Sequence, residues 1–254
     1  MIKMEAEIQT GSAGTDRSAE TRSKILDAAV QEFSRNGLAG ARMDQIATLA
    51  GVNKALLYYH FDSKENLYLA ALELTAAKAR DASMAVFLRD ASAGERVLRT
   101  ALNHFDRIVA QTEFQSLMQQ EMMRLHKGES GAMEVLIKRV FAPIIAMYQS
   151  MVREGIASGE LIEVDWLQIH LASLGTNVFY FLSSHLLRLI LPIDPFAPEV
   201  LAERRKAIVN FLGLAIFRDR EHGAELAGKV LADTPMPEVR VNQSPFGVKN
   251  EREK

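Results

Sequence analysis

Ile46-Ala47-Thr48-Leu49-Ala50-Gly51-Val52-Asn53-Lys54-Ala55-Leu56-Leu57-Tyr58-Tyr59-His60-Phe61 reads as two short helices hinged at Gly51. Glycine takes the left-handed conformation such a turn needs without steric cost. Ala47 is small where two crossing helices approach. Ile46, Val52 and Leu57 are apolar where they must face a core with Leu26 and Phe33. The helix after the hinge carries polar and aromatic side chains where a solvent-facing helix ordinarily carries Glu and Lys. That is the pattern of a helix-turn-helix whose second helix enters the major groove of DNA.

Outward from this segment, nearly every periodic stretch has helical spacing and none alternates as a strand does. A helix is expected over 19–36, with Ile25, Leu26, Ala29, Val30 and Phe33 on one face and Gly37 as its stop. Short helices follow over 43–50 and 54–60. Asp62 and Glu65 have capping-box spacing for a fourth helix running to about residue 81. Beyond lie helical patterns over 95–110, 114–126, 133–157, 165–191 and 197–218. Pro143 is expected to kink the third of these or to mark a junction of two helices. The reading is all-α: a flexible arm over 1–18, a three-helix, homeodomain-like DNA-binding domain over 19–80, a second helical domain over 81–220, and a loose tail over 221–254.

Composition narrows the function classes. The chain has 254 residues, 48% of them hydrophobic, a formal net charge of −2 and no cysteine. It is long enough for a sizeable core. Disulfide scaffolds, thiolate metal sites and thiol nucleophiles are excluded, and a reducing cytoplasm is the expected location. Slight acidity argues against a protein that coats nucleic acid, but not against basic groups gathered on one small face. The first eighteen residues hold no apolar run, so no secretory signal is expected there. Residues 171–191 are apolar, but Asn177, Ser183, Ser184, His185 and Arg188 interrupt them. A helix buried between subunits is expected, not a membrane span. His104, His126, His170, His185 and His222 show no metal-ligand spacing, so neither a metal nor a cofactor is expected.

At residues 21–72 the chain resembles the amino-terminal domain of TetR-type (TetR/AcrR-like) transcriptional regulators. The resemblance rests on Ile25-Leu26-Asp27-Ala28-Ala29, Phe33, Asn36-Gly37, Ile46-Ala47, Ala50-Gly51-Val52, Leu57-Tyr58-Tyr59-His60-Phe61 and Lys64-Glu65-Asn66-Leu67. It implies a homodimer that binds operator DNA, usually as a repressor released by a small effector. A transcriptional activator or a ligand-independent regulator of the same fold is the alternative. It also implies that Lys54, Ala55 and Leu56, after Asn53, face bases. Tyr58, Tyr59, His60 and Lys64 would then meet the phosphate backbone, and Arg42 and Met43 would lie at the DNA-facing start of the preceding helix. Two positions depart from the family's habit of Ser or Thr. Arg42 forgoes a side-chain cap worth about 1 kcal/mol, and Leu56 suits apolar contact with a thymine methyl. Both bear on which operator is read.

In the remainder, Leu167, Leu171, Leu174, Val178, Leu182, Leu186 and Leu189 form one apolar stripe, and Val209, Leu212, Ile216 and Phe217 another. Two such helices from each of two subunits make a four-helix bundle. The resemblance further implies that 81–220 is a carboxy-terminal helical ligand-binding and dimerisation domain whose middle helices enclose a cavity. The candidate effector contacts there are His104, Phe105, Met118, Glu121, Met122, Tyr148, Asn177 and Tyr180, since methionine and aromatic side chains adapt to an apolar or aromatic ligand. No triad, phosphate loop or carboxylate pair marks an enzyme.

Overall fold

The computed structural model describes residues 2–129 and 131–240, with side chains from residue 17 onward. Among the described residues twelve α-helices follow one another: α1 (Ile2–Gly40), α2 (Met43–Ala50), α3 (Lys54–Phe61), α4 (Lys64–Phe87), α5 (Ala93–Ala110), α6 (Thr112–His126), α7 (Gly131–Leu136), α8 (Ala142–Ala157), α9 (Trp166–Leu182), α10 (Ser184–Ile190), α11 (Pro198–Ile216) and α12 (Arg220–Asp233). The only extended pairing among the described residues is an isolated bridge between Leu161 and Phe217.

Two apolar cores organise them. The first gathers Ile25, Phe33, Ile46, Leu57, Leu67 and Tyr68 from α1–α4, and Leu117, Leu136 and Val140 from farther along the chain close it. The second is built on α5, α8, α9, α11 and α12 around Leu98, Phe105, Val152, Phe181 and Val209. Helix α4 belongs to both: Leu67 to Ala76 lie in the first core and Phe87 in the second. One continuous helix therefore carries the chain across residue 80, from the first core to the second.

Several expectations are corrected. Helix α1 extends from Ile2 through the segment read as an arm, although the side chains of 1–16 lie outside the described ones. Its regular course stops at Gly37, whose φ of 68° is left-handed. Ser63, not Asp62, caps α4: its side chain accepts from Asn66 N at 3.0 Å, while Asp62 turns to φ 60° to close α3. At Pro143 the second alternative holds, and two helical segments meet. A π-helical turn over Ile137–Phe141 precedes α8, and the proline occupies the first turn of α8, where its missing N–H costs little. The apolar 165–191 segment divides at Ser183 into α9 and α10. The joined Gly131–Ala157 stretch is long and apolar enough to cross a membrane by length and composition. In the fold, its Leu136 and Val140 fill the first core, and Tyr148, Met151 and Val152 fill the second.

The largest correction is the tail. Residues 220–233 form α12, with Asp219 capping its start by accepting from Glu221 N and His222 N. Gly223, Ala227 and Val230 are buried. A Cβ on Gly213 or on Gly223 would run into the other's backbone, so α11 and α12 touch main chain to main chain. After α12 the chain continues along α5 as a strap. Arg205 Nη2 donates to Thr234 O at 2.8 Å, and Arg240 N donates to Val109 O at 3.0 Å. Residues 241–254, the rest of the expected tail, lie outside the described residues.

Candidate nucleic-acid interface and effector centre

Local chemistry fixes the helix-turn-helix. Gly51 has φ 67° and ψ 32°. Its N–H reaches Thr48 O at 3.2 Å, and Val52 N reaches Ala47 O at 3.0 Å. This paired closure satisfies the last carbonyls of α2. Asn53 then caps α3, its Oδ1 accepting from Leu56 N at 2.9 Å. Helix α3 buries Leu57 and Phe61, four residues apart, and so turns Lys54, Ala55, Tyr58 and Tyr59 outward. Tyr59 is 78% exposed, with its ring edge-on to His60. A large aromatic side chain held out from an eight-residue helix has no role in the core.

The cap missing at Arg42 is replaced from outside. Glu32 on α1, itself buried, accepts from Arg42 N at 3.1 Å, leaving the Arg42 side chain exposed beside α3. Lys54 Nζ pairs with Asp44 at 3.0 Å across the turn, and Lys64 Nζ donates to Ala39 O at 3.3 Å at the end of α1. A phosphate arriving at Lys54 therefore exchanges one anion for another. The Asp44 contact raises the Lys54 pKa and keeps the ammonium charged. One expected contact does not survive: the Met43 side chain is buried in the first core and is not presented to DNA.

The expected effector residues divide into two groups. His104, Tyr148 and Asn177 come together between α5, α8 and α9. Asn177 Nδ2 donates to Ala101 O at 3.1 Å and lies 3.1 Å from His104 Nδ1. The Tyr148 ring is 4.7 Å from that of His170. Phe105 packs on Phe181 at 5.5 Å beside this centre. Tyr180 faces elsewhere, donating to Pro195 O at 2.7 Å and so anchoring the turn before α11. Met118 packs on the first core, and Met122 is 64% exposed. Glu121, fully buried, joins α6 to the DNA-reading unit: it accepts from Tyr68 Oη at 2.8 Å and pairs with Arg124 at 2.7 Å. Met118, Met122 and Glu121 lie apart from the centre.

Sequence reading missed His170, Ser173 and Arg107 as members of the centre. A signal was present, since His170, Ser173 and Asn177 recur at i, i+3 and i+7 on one face of an otherwise apolar helix. The centre is unusual in its unsatisfied atoms. Asn177 Oδ1 and Arg107 Nε are buried with no hydrogen-bond partner, and Tyr148 Oη and Ser173 Oγ have no partner other than each other. Buried polar atoms are nearly always paired, so their gathering here marks this centre as the candidate site. Burial pushes the Tyr148 phenol up and brings Arg107 down to about 10.

Burial, helped by the charge of Arg107, brings His104 down from 6.5 to about 3. The imidazole is neutral in the fold and protonates below 6.5 only when unfolded. The stability this provides is present above pH 6.5 and drains away as the pH falls from there toward 3. The expected loss is about 1.4 kcal/mol per pH unit, and burial of His170 acts in the same direction. Urea titrations at pH 7 and pH 5 test this, and His104→Gln is expected to flatten the difference.

Comparison with known proteins agrees with this geometry. Residues 25–71 match the model of the tetR family of bacterial regulatory proteins, and residues 94–212 match that of a tetracycline-repressor-like C-terminal domain. The transcriptional repressor NicS of Pseudomonas putida is 30% identical over 192 residues, covering 74% of this chain and 89% of NicS. The regulator RutR of Escherichia coli is 49% identical over 63 residues, covering 25% of this chain and 29% of RutR. Among solved structures, a regulator from Saccharomonospora viridis in complex with choline superposes with a TM-score of 0.63 at 19% identity, over 79% of this chain and 100% of that one. FadR of Bacillus subtilis, in complex with stearoyl-CoA, gives 0.58 at 19% identity, over 74% and 96%. A helix-turn-helix capped and exposed as described, carried on a helical body matched along most of a curated relative, places the chain in the tetR family of DNA-binding transcriptional regulators.

Proposed function

We propose that the protein is a homodimeric repressor released from its operator by a small molecule that binds among α5, α8 and α9. The observation that carries the effector part is the gathering of buried polar atoms on Tyr148, Ser173, Asn177 and Arg107. They fit a compact ligand with at least one hydrogen-bonding group, its apolar or aromatic remainder lying against Phe105 and Phe181. NicS, similar over most of its length, bears the name of repressor. Two proteins of this fold hold a small molecule in their structures.

Coupling runs by population shift. Helix α6 follows α5 directly and grips the DNA-reading unit twice: Gln120 Nε2 donates to Ser34 O at 3.0 Å, and Glu121 holds Tyr68. A ligand that favours a different α5 position therefore changes where α1 and α4 carry α3. DNA must weaken ligand binding by the same factor as ligand weakens DNA binding.

The test is selection of a duplex from a random library by the purified protein, followed by binding titrations against salt. Lys54→Ala is expected to lower the slope of log K against log salt by about 1, and Tyr59→Ala to weaken binding about tenfold. Failure to enrich any sequence at low ionic strength overturns the proposal.

A further inference from the structure

A cleft of about 510 Å³ lies at the junction of the two cores, away from the effector centre. Its walls come from α1, α4, the corner between α5 and α6, and the end of the strap. The volume is that of small-molecule sites, and such sites favour domain junctions. Its chemistry is distinctive. Asp27 and Glu113 supply carboxylates, Lys78 and Arg240 supply cations, and Gln31 and Gln111 supply amides, over a floor of Val30, Ala110 and Phe114. Among the described residues neither carboxylate forms an ion pair, and nor does Lys78. Arg240 pairs with Glu238 beside it, at 3.3 Å. The recess thus gathers two carboxylates and two cations, Asp27, Lys78 and Arg240 exposed to solvent and Glu113 half-buried.

We propose that this cleft is a second binding site, for a zwitterion of amino-acid size, held by its carboxylate at Lys78 and Arg240, by its ammonium at Asp27 and Glu113, and by its side chain on Phe114. Charge-assisted hydrogen bonds are the strong ones, and four of them around an apolar floor specify this class of ligand. Position gives the site a consequence. Asp27 and Lys78 belong to helices that carry the DNA-reading unit, whereas Gln111 is the corner that effector-driven movement of α5 must pass through. An occupant therefore ties the two units together and acts separately from a ligand at Asn177.

The standard free L-amino acids, each at millimolar concentration, serve as probes in a thermal-shift screen of the full chain, followed by calorimetric titration of those that stabilise it. At least one is expected to bind. Lys78→Glu and Asp27→Lys, both exposed positions, should each weaken it about tenfold or more. Glu225→Lys, a charge reversal at an exposed position of α12 outside the cleft, should leave it unchanged, which separates loss of the site from a general change of charge. If no amino acid stabilises the chain, the proposal is overturned. It is equally overturned if binding survives both charge reversals in the cleft or is lost in Glu225→Lys.

Discussion

Phe211→Glu is expected to yield a folded monomer that binds its operator about 10²–10⁴-fold more weakly than the parent. The reasoning begins with α11, which carries two apolar stripes. Val209, Leu212 and Ile216 are buried in the second core, and Phe217 just beyond them is buried too. The sequence offered these four as a surface for a second subunit, and the fold spends them inside. The opposite side of the helix carries Phe211, 63% exposed, and Leu214. Beside it, α9 shows Leu171, Leu182 and Phe179, the last 65% exposed. Exposed apolar patches of this extent on adjacent helices mark an interaction surface. In the proposed homodimer a second copy covers both patches in a four-helix bundle. Glutamate at 211 buries a charge at the centre of that bundle, whereas in the monomer it sits in water and costs the fold little. Two recognition helices held one DNA turn apart bind as one bivalent ligand, and a monomer loses that advantage. Sedimentation velocity reads the mass and a titration with the selected duplex reads the affinity. A Phe211→Glu protein that still sediments as a dimer would place the interface elsewhere.

The fate of those stripes shows what a sequence conveys and what it withholds. The helix-turn-helix was legible because its determinants are local. Gly51 must be left-handed to close α2, Asn53 caps the next three residues, and Leu57 with Phe61 decides which way Tyr58 and Tyr59 point. The same spacing logic found α11 apolar but not which stripe faces in, because that depends on a partner helix far along the chain. Helix α12 escaped notice for a related reason. Its buried face is Gly223, Ala227 and Val230, small residues that give no strong periodic signal but allow contact at main-chain distance. In the effector centre the residue types were legible and their convergence was not. Met118 and Glu121 lie on α6, which packs chiefly against α1 and α4, so they face the DNA-reading unit.

Replacing Arg205 with alanine is expected to cost about 3–5 kcal/mol and to release the strap from α5. The guanidinium is buried. Its Nε donates to Asp106 Oδ1 at 2.7 Å, and its Nη2 donates to Asp106 Oδ2 at 2.9 Å and to Thr234 O at 2.8 Å. One side chain thus binds α5, α11 and the strap. Burial pushes the Asp106 carboxyl above its ordinary 3.8 even though Arg205 pulls the other way, so desolvation outweighs the partner. A buried pair in that balance adds little by existing, but losing one member strands the other. In Arg205→Ala, Asp106 keeps the desolvation and loses the compensation, and its folded pKa rises further. With the folded pKa above the unfolded one, its contribution is present below the unfolded value and lost as the pH rises through the folded value. The variant should therefore regain part of its deficit on acidification from pH 7 toward 4, against the opposite trend that His104 gives the parent. Arg205→Leu combined with Asp106→Leu should recover most of the loss, since two apolar groups of similar reach leave no stranded charge. Urea unfolding of the parent, Arg205→Ala and the double variant at pH 7 and pH 5 separates these outcomes. A double variant as unstable as Arg205→Ala would mean that the strap carbonyl at Thr234, not the carboxylate, is the partner whose loss matters.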